Sequence, residues 1–179
     1  MCDADKTLAT FEKCKSHFPN ALLCLSTNGL ALPEHVDEIV RLGVSHVTVT
    51  VNAVTPDVGS KVYSWVRYED KNYYGEEAAR ILLARQDEGI RKLKEAGMLV
   101  KINTVVIPGV NMDHVQSISA KAKQWGADIM NCMAMIPVHD TPFENLKSPS
   151  SDEIHYIRRS IGGDINQMTH CNRCRADAC

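Results

Sequence analysis

The sequence predicts an α/β fold with a parallel sheet, either a βα barrel or an open sheet. Two observations carry this. Short β-rich apolar runs alternate with longer amphipathic stretches, and glycine or proline punctuates most of the junctions between them. Each strand pattern is followed by a helix long enough to cross back over the sheet, which requires parallel neighbours and right-handed crossovers.

Residues 5–17 bring Leu8, Phe11 and Cys14, with Phe18 just beyond, to one side and read as a helix stopped by Pro19. Residues 21–26 form a buried strand ending in the turn Thr27, Asn28, Gly29. Pro33 opens a second helix with Val36, Ile39 and Val40 inward, and Gly43 closes it. The alternating Val and Thr of residues 47–51 make the clearest strand. Residues 52–74 read as a polar and aromatic loop holding Tyr63, Trp65, Arg67, Tyr68, Lys71, Tyr73 and Tyr74. Such a loop either covers a site, docks a partner or is simply anchored by its own rings.

Residues 75–96 carry Ala78, Ile81, Leu82, Ile90 and Leu93 at helical spacing up to Gly97. A strand over 99–107 ends at Pro108 and Gly109. A helix with Met112, Val115, Ile118, Ala122 and Trp125 inward then ends at Gly126. The fourth strand covers 129–136. After a proline-containing loop, Ser150, Ser151, Asp152 and Glu153 signal the start of a helix running to about Ser160. These elements give two regions, residues 1–161 as the α/β body and residues 162–179 as a tail without apolar period.

Composition excludes several classes of function. With 179 residues, 44% of them hydrophobic, the chain can bury a core of its own. A net charge of −2 without a basic stripe favours neither nucleic acid nor an anionic membrane surface. No apolar run approaches the roughly 20 residues of a bilayer span. The first residues lack the basic and apolar regions of a signal peptide, so a cytoplasmic location is expected. No phosphate-binding glycine loop follows any strand, and nucleotide hydrolysis is unsupported.

In parallel α/β folds ligands bind at the carboxyl ends of the strands. Here those ends hold Ser26, Thr27, Asn28 and Gly29; Asn52; Pro108, Gly109 and Asn111; and Met135 to Pro137, with Asn103 and Asn131 inside their strands. Uncharged amides and hydroxyls suit a neutral or zwitterionic organic ligand, and they equally suit tight turns.

The seven cysteines, at irregular spacing, read as core residues or metal ligands rather than disulfides. Cys171 and Cys174 are two residues apart, flanked by His170, Arg173 and Arg175. They can share one metal or cluster iron, and a redox dithiol is the rival reading. Cys24 shares a strand face with Ser26, opposite Leu23 and Leu25, and is available to a cluster if that face lines a barrel interior. Cys132 reads as core, and Cys2, Cys14 and Cys179 receive no role. His139 and His170 are the better-placed histidines; His35, His46, His114 and His155 read as solvated or capping.

Three blocks carry a resemblance: LCLSTNGLALPEHVDEIVRLGVSHVTVTVNAVTPDVG over 23–59, GEEAARILLARQDEGIRKLKEAGMLVKINTVVIPGVN over 75–111, and HCNRCRADA over 170–178. Together they resemble the NifB family, radical S-adenosylmethionine (SAM) enzymes of nitrogenase cofactor assembly. The resemblance implies a partial radical SAM-type (βα) barrel containing strands three to six. It implies a lyase-like reaction that joins two [4Fe–4S] clusters, with carbide insertion from the SAM methyl group, into the NifB-co or L-cluster precursor. By position Cys24 matches a ligand of one substrate cluster, and Cys171 with Cys174 the pair holding another. Thr27, Asn28 and Asn52 match the SAM-side lining. [4Fe–4S] clusters and SAM are the implied cofactors, with iron–sulfur donors and nitrogenase cofactor assembly proteins as partners.

The family's reducing cluster is held by CxxxCxxC, a spacing found nowhere in these 179 residues. The glycine-rich segment that holds the SAM amino group, and an N-terminal histidine, are likewise without a match. The expectation is therefore a piece of a longer protein, or half of a split enzyme completed by a chain supplying CxxxCxxC, that binds clusters and performs no SAM radical chemistry alone. A non-catalytic cluster carrier and a zinc-stapled interaction domain are the alternatives.

Overall fold

The computed structural model describes residues 3–168. Helix α1 (Ala4–His17) precedes β1 (Leu23–Thr27), α2 (Leu32–Arg41) and β2 (Val44–Thr50). Then come α3 (Pro56–Val62), a hairpin of β3 (Trp65–Tyr68) and β4 (Lys71–Tyr74), and α4 (Gly75–Glu95). Strand β5 (Leu99–Val106), α5 (Val115–Gln124), β6 (Ile129–Ala134) and α6 (Ser151–Ile161) complete the order. The main sheet is β1-β2-β5-β6, every pair parallel, as a partial βα barrel requires.

The two faces of this sheet differ in chemistry. One presents Leu23, Leu25, Val47, Val49, Val100, Ile102, Met130 and Cys132, all buried in the main core with α2, α4, α5 and α6. Helix α4 sends its buried stripe of Ala78, Ala79, Leu82, Gln86, Gly89, Ile90 and Leu93 inward. At its crossing with α2, a Cβ on Gly89 would lie 2.9 Å from the Leu32 side chain, so only glycine lets the two backbones approach this closely.

The four main-sheet strands match their sequence expectations to within three residues at each end. Residues 52–74 do not form the expected loop. Pro56 at the first turn starts the seven-residue α3, too short to show helical periodicity. The hairpin turn uses Glu69 and Asp70 at φ of 49° and 59°, a left-handed conformation more usual for glycine or asparagine, so no turn signal is visible. Val66, Tyr68 and Tyr73 pack with Ala78 and Leu82 of α4, and the Arg85 guanidinium sits 5.4 Å from the Tyr68 ring centre. Trp65 and Tyr74 pair across the hairpin and stay exposed.

Helix α6 begins with a reciprocal capping box between Ser150 and Glu153, as the sequence signal implied. Beyond it the backbone returns to the sheet. The Met130 amide donates to the Asn166 carbonyl at 2.8 Å and the Met168 amide to the Met130 carbonyl at 2.8 Å, a parallel bridge on the edge of β6. Ile165 joins the core. Among the described residues, no helix is long and apolar enough to cross a membrane.

Asp87 ties α4 to α5. Its carboxylate accepts from Trp125 Nε1 at 2.9 Å and meets Lys121 at 3.0 Å and Arg91 at 2.7 Å. Burial pushes this carboxyl up, but the hydrogen bonds from Trp125, Lys121 and Arg91 prevail and bring it down to about 2. A depressed carboxyl stabilises the fold above its unfolded value of 3.8 and loses that contribution as pH falls toward about 2. With the side chain 32% exposed, solvent screening trims the effect to about 1–2 kcal/mol. Asp87→Asn is expected to lose that much stability in urea unfolding at pH 7, and the gap from the parent chain should close as pH falls from 5 to 2.

Candidate functional site

The carboxyl ends of β1, β2 and β5 are bound together by side-chain amides. Gln86 of α4, fully buried, donates through Nε2 to the Asn28 carbonyl at 2.7 Å and the Thr50 carbonyl at 2.9 Å. Asn111, also fully buried, accepts from the Ile107 amide at 2.7 Å and donates to the carbonyls of Asn52 and Val105, each at 2.9 Å. Thr104 Oγ1 donates to the Val51 carbonyl at 2.8 Å. The Asn52 amide donates to the Tyr63 hydroxyl at 3.1 Å. Burial pushes that phenol up to about 12, against the pull of hydrogen bonds with Asn52 and Gln86, so it stays protonated. His114 accepts from the Val54 amide at 3.1 Å through Nε2; burial lowers its pKa, outweighing the attraction of Asp57, and favours the neutral ring this bond needs.

Within this rim the three strand-end residues singled out by sequence hold backbone. Thr27 Oγ1 accepts from the Gly29 amide at 3.1 Å, and Asn28 Oδ1 accepts from the Leu30 amide at 3.0 Å. Asn52 Oδ1 accepts from the Val105 amide at 2.9 Å. Thr27 and Asn52 are buried; Asn28 is partly exposed. Gly29 stands at φ +87°, where a Cβ would lie 2.8 Å from Gln86 Cγ and 3.1 Å from Val49, so the turn admits no side chain.

Below the rim the second face of the sheet is polar across β1 and β2 and mixed across β5 and β6, where Leu99, Val105, Ile129 and Met133 alternate in register with Lys101, Asn103 and Asn131. Cys24 pairs in register with His46, Ser26 with Thr48, Thr48 with Lys101, and Asn103 with Asn131. Cys24 and Ser26 are exposed, and His46 and Lys101 partly buried. Asn131 Nδ2 donates to Asn103 Oδ1 at 3.1 Å, while Arg158 of α6 donates to the Cys132 carbonyl at 2.8 Å. Cys24 is four residues before Asn28, about 13 Å along an extended strand. The face therefore has two levels, a thiol and imidazole near the start of the strands and amides near their ends.

Cys132 points to the other face. Burial pushes its thiol up to about 12 against the opposing field of Arg158, which makes it an inert core group. Cys14 packs against the same helical side. His139, Asp140 and Glu144 gather in the loop after β6, all exposed, with His139 Nδ1 at 3.0 Å from Asp140. A cleft of about 320 Å³ lies between β6 and the start of α6, lined by Met133, Ile154, His155 and Arg158. Cys171 and Cys174, with His170, fall outside the described residues.

Gln86 was not foreseen as part of the rim. Its signal was a polar side chain on the otherwise apolar stripe Leu82, Gln86, Ile90, Leu93 of α4, a position where an amide must find buried partners.

Comparison with known proteins agrees with this geometry. Residues 1–122 match the model of the radical SAM superfamily. The chain belongs to that superfamily. It is also similar to proteins named FeMo cofactor biosynthesis protein NifB, with 40% identity to that of Chlorobaculum tepidum over 99% of this chain and 42% of the relative. The Bradyrhizobium diazoefficiens protein is 45% identical over 99% of this chain and 36% of its own length, and that of Rhodobacter capsulatus 43% identical over 97% and 39%. The chain thus spans about two fifths of the length of these curated relatives. A domain of pyruvate-formate lyase-activating enzyme from Bacteroides vulgatus superimposes with a TM-score of 0.65 at 16% identity, covering 92% of this chain and 89% of that one. This last likeness establishes the radical SAM-type fold alone.

The rim generates a prediction. Asn111→Asp replaces a donor facing two carbonyls by an acceptor, and the lost bonds and repulsion are expected to cost about 2–4 kcal/mol. Urea unfolding at pH 7 measures the loss, and a change below about 1 kcal/mol would show that the rim does not depend on this amide.

Proposed function

We propose that the chain supplies the sheet and part of the cluster-binding set of a NifB-type radical SAM enzyme. That enzyme joins two [4Fe–4S] substrate clusters, with a carbide drawn from SAM, into the NifB-co or L-cluster precursor of the nitrogenase cofactor. The observation that carries this reading is the 40–45% identity to NifB proteins over nearly the whole chain, in which Cys24 is held on the polar face of the sheet. In the proposal, Cys24 ligates one substrate cluster and Cys171 with Cys174 the other, with cluster donors and cofactor assembly proteins as the exchange partners.

The residues suit such a cargo. The sequences LCLST, VSHVTVT, LVKINTVV and IMNCMA of the four main strands hold no carboxylate, and Lys101 adds a positive charge on the cysteine's face. An anionic thiolate or sulfide-rich cluster meets no repulsion from the strands there. SAM, when bound in radical SAM proteins, supplies the radical chemistry. Toward it this chain offers the Asn28 amide hydrogens at the rim, while Thr27 and Asn52 act by holding the turns and β5 that shape the rim. Three thiolates in CxxxCxxC spacing would come from outside these 179 residues.

Anaerobic reconstitution of the full chain with ferrous iron and sulfide is expected to load iron, and Cys171→Ala/Cys174→Ala to lose a large share of it. Unchanged iron in the double variant would sink the ligand assignment. Adding a polypeptide bearing CxxxCxxC is expected to yield SAM cleavage; its absence with iron still bound would favour a cluster carrier.

A further inference from the structure

The chain leaving β2, residues 50–54, is held to the rim by five side chains. Gln86 donates to the Thr50 carbonyl, Thr104 to the Val51 carbonyl and Asn111 to the Asn52 carbonyl. The Tyr63 hydroxyl accepts from the Asn52 amide, and His114 Nε2 from the Val54 amide at 3.1 Å. The two side-chain amides and the threonine hydroxyl do not titrate in water, and burial pushes the Tyr63 phenol up to about 12. Of the five, His114 alone changes charge between pH 5 and 8. It stands at the N-cap of α5, where its side chain makes no capping bond, and its ring reaches instead to the neighbouring crossover.

A neutral ring with its proton on Nδ1 leaves a lone pair on Nε2 for the Val54 amide. A protonated ring presents N–H at both nitrogens, so two donors face one another and the contact is lost. Partial burial favours the neutral form. Among the described residues, the charge that reaches the ring from another element is the Asp57 carboxylate in the first turn of α3; Asp113, beside His114 in the chain, is exposed. A hydrogen bond from Thr55 holds Asp57 below the usual carboxylate range, so it stays ionised and stabilises the imidazolium once the ring has let go. Because the fold favours the neutral ring, the contact is complete above the ordinary histidine value of 6.5 and is lost as pH falls below it.

We propose that His114 is a proton-operated latch on the β2 crossover, which fixes residues 52–54 at the rim when neutral and releases them when protonated. Release reaches β5, because Asn52 in the same segment holds the Val105 amide through Oδ1. The rim is thus ordered at neutral pH and loosened in mild acid, whichever ligand it takes. The inference stands apart from the cluster-ligand assignment above.

The test follows the full chain by NMR and amide hydrogen exchange from pH 8 to pH 5, each exchange rate being divided by its intrinsic value at that pH. A neutral His114 ring carrying its proton on Nδ1 is expected. Protection of the Val54 amide should fall about 10-fold or more, with the midpoint of the His114 ring titration. The Leu30 amide, held by the Asn28 side chain, should keep its protection. His114→Gln offers a carbonyl acceptor that does not titrate and should keep Val54 protected in acid, whereas His114→Leu should leave it unprotected throughout. Val54 protection that stays constant through the ring titration overturns the latch, as does an equal fall in His114→Gln or a neutral ring protonated on Nε2. Where a variant fails to fold, the parent chain decides alone: a shared midpoint of ring and amide supports the latch, and separate midpoints overturn it.

Discussion

A parallel strand that ends beneath a crossover loop leaves carbonyl groups without ladder partners, and at the rim of this sheet four of them are met by just two side-chain amides. Gln86 reaches from α4 to the carbonyls of Asn28 and Thr50, and Asn111 reaches those of Asn52 and Val105. Both amides are fully buried, where a carbonyl left without a donor costs about 1–3 kcal/mol. The same bonds hold three consecutive crossovers in one relation: the β1 turn and the end of β2 to α4, and the ends of β2 and β5 to the loop before α5. The glycine at residue 29 follows from this constraint, because any side chain there would displace Gln86.

With the rim fixed, the two faces of the sheet are free to serve different ends. The helical face buries Val, Leu, Ile and Met and supplies the apolar burial that stabilises the domain. The other carries Cys, Ser, His, Thr, Lys and Asn, interrupted on β5 and β6 by Leu99, Val105, Ile129 and Met133. Strict alternation along β1 keeps the two sets apart, with Leu23, Leu25 and Thr27 buried between exposed Cys24 and Ser26. Along β2 alternation alone would fail, since Val44 and His46 would fall on the same side. The extra residue at Ser45 resolves that conflict at the expense of regular pairing at the start of the strand.

Much of this was legible in the sequence because most of the chain obeys one period at a time. The Val and Thr alternation of β2 and the apolar stripes of α2, α4 and α5 announced the layers, and Leu23 and Leu25 alone sufficed to put Cys24 on the opposite face. What escaped was local and aperiodic. The bulge at Ser45 has no signature in residue type, so His46 read as a residue beside a strand start. The turn at Glu69 and Asp70 adopts left-handed backbone without glycine or asparagine, which hid the hairpin. Gln86 was concealed within a helix whose spacing was otherwise regular, and its role depends on carbonyls 36 and 58 residues away in sequence.

The separation of faces also limits what Cys24 can do. Cys132 is buried on the opposite side of the sheet and Cys14 packs against the helical core, so neither sulfur can approach Cys24 without rearrangement of the backbone. Among the described residues its face holds no second thiol, which rules out a disulfide within them and leaves ligation or reaction with groups brought from elsewhere. The neighbours favour the first. Histidine is a ligand in its neutral form, lysine and hydroxyls stabilise anionic sulfur, and the main strands contribute no carboxylate to compete for charge or to offer hard oxygen donors. A soft donor set on strands without carboxylates suits iron, zinc or copper better than magnesium or calcium. In the proposed reading, Lys101 on that face favours an anionic sulfide cluster over a bare dication.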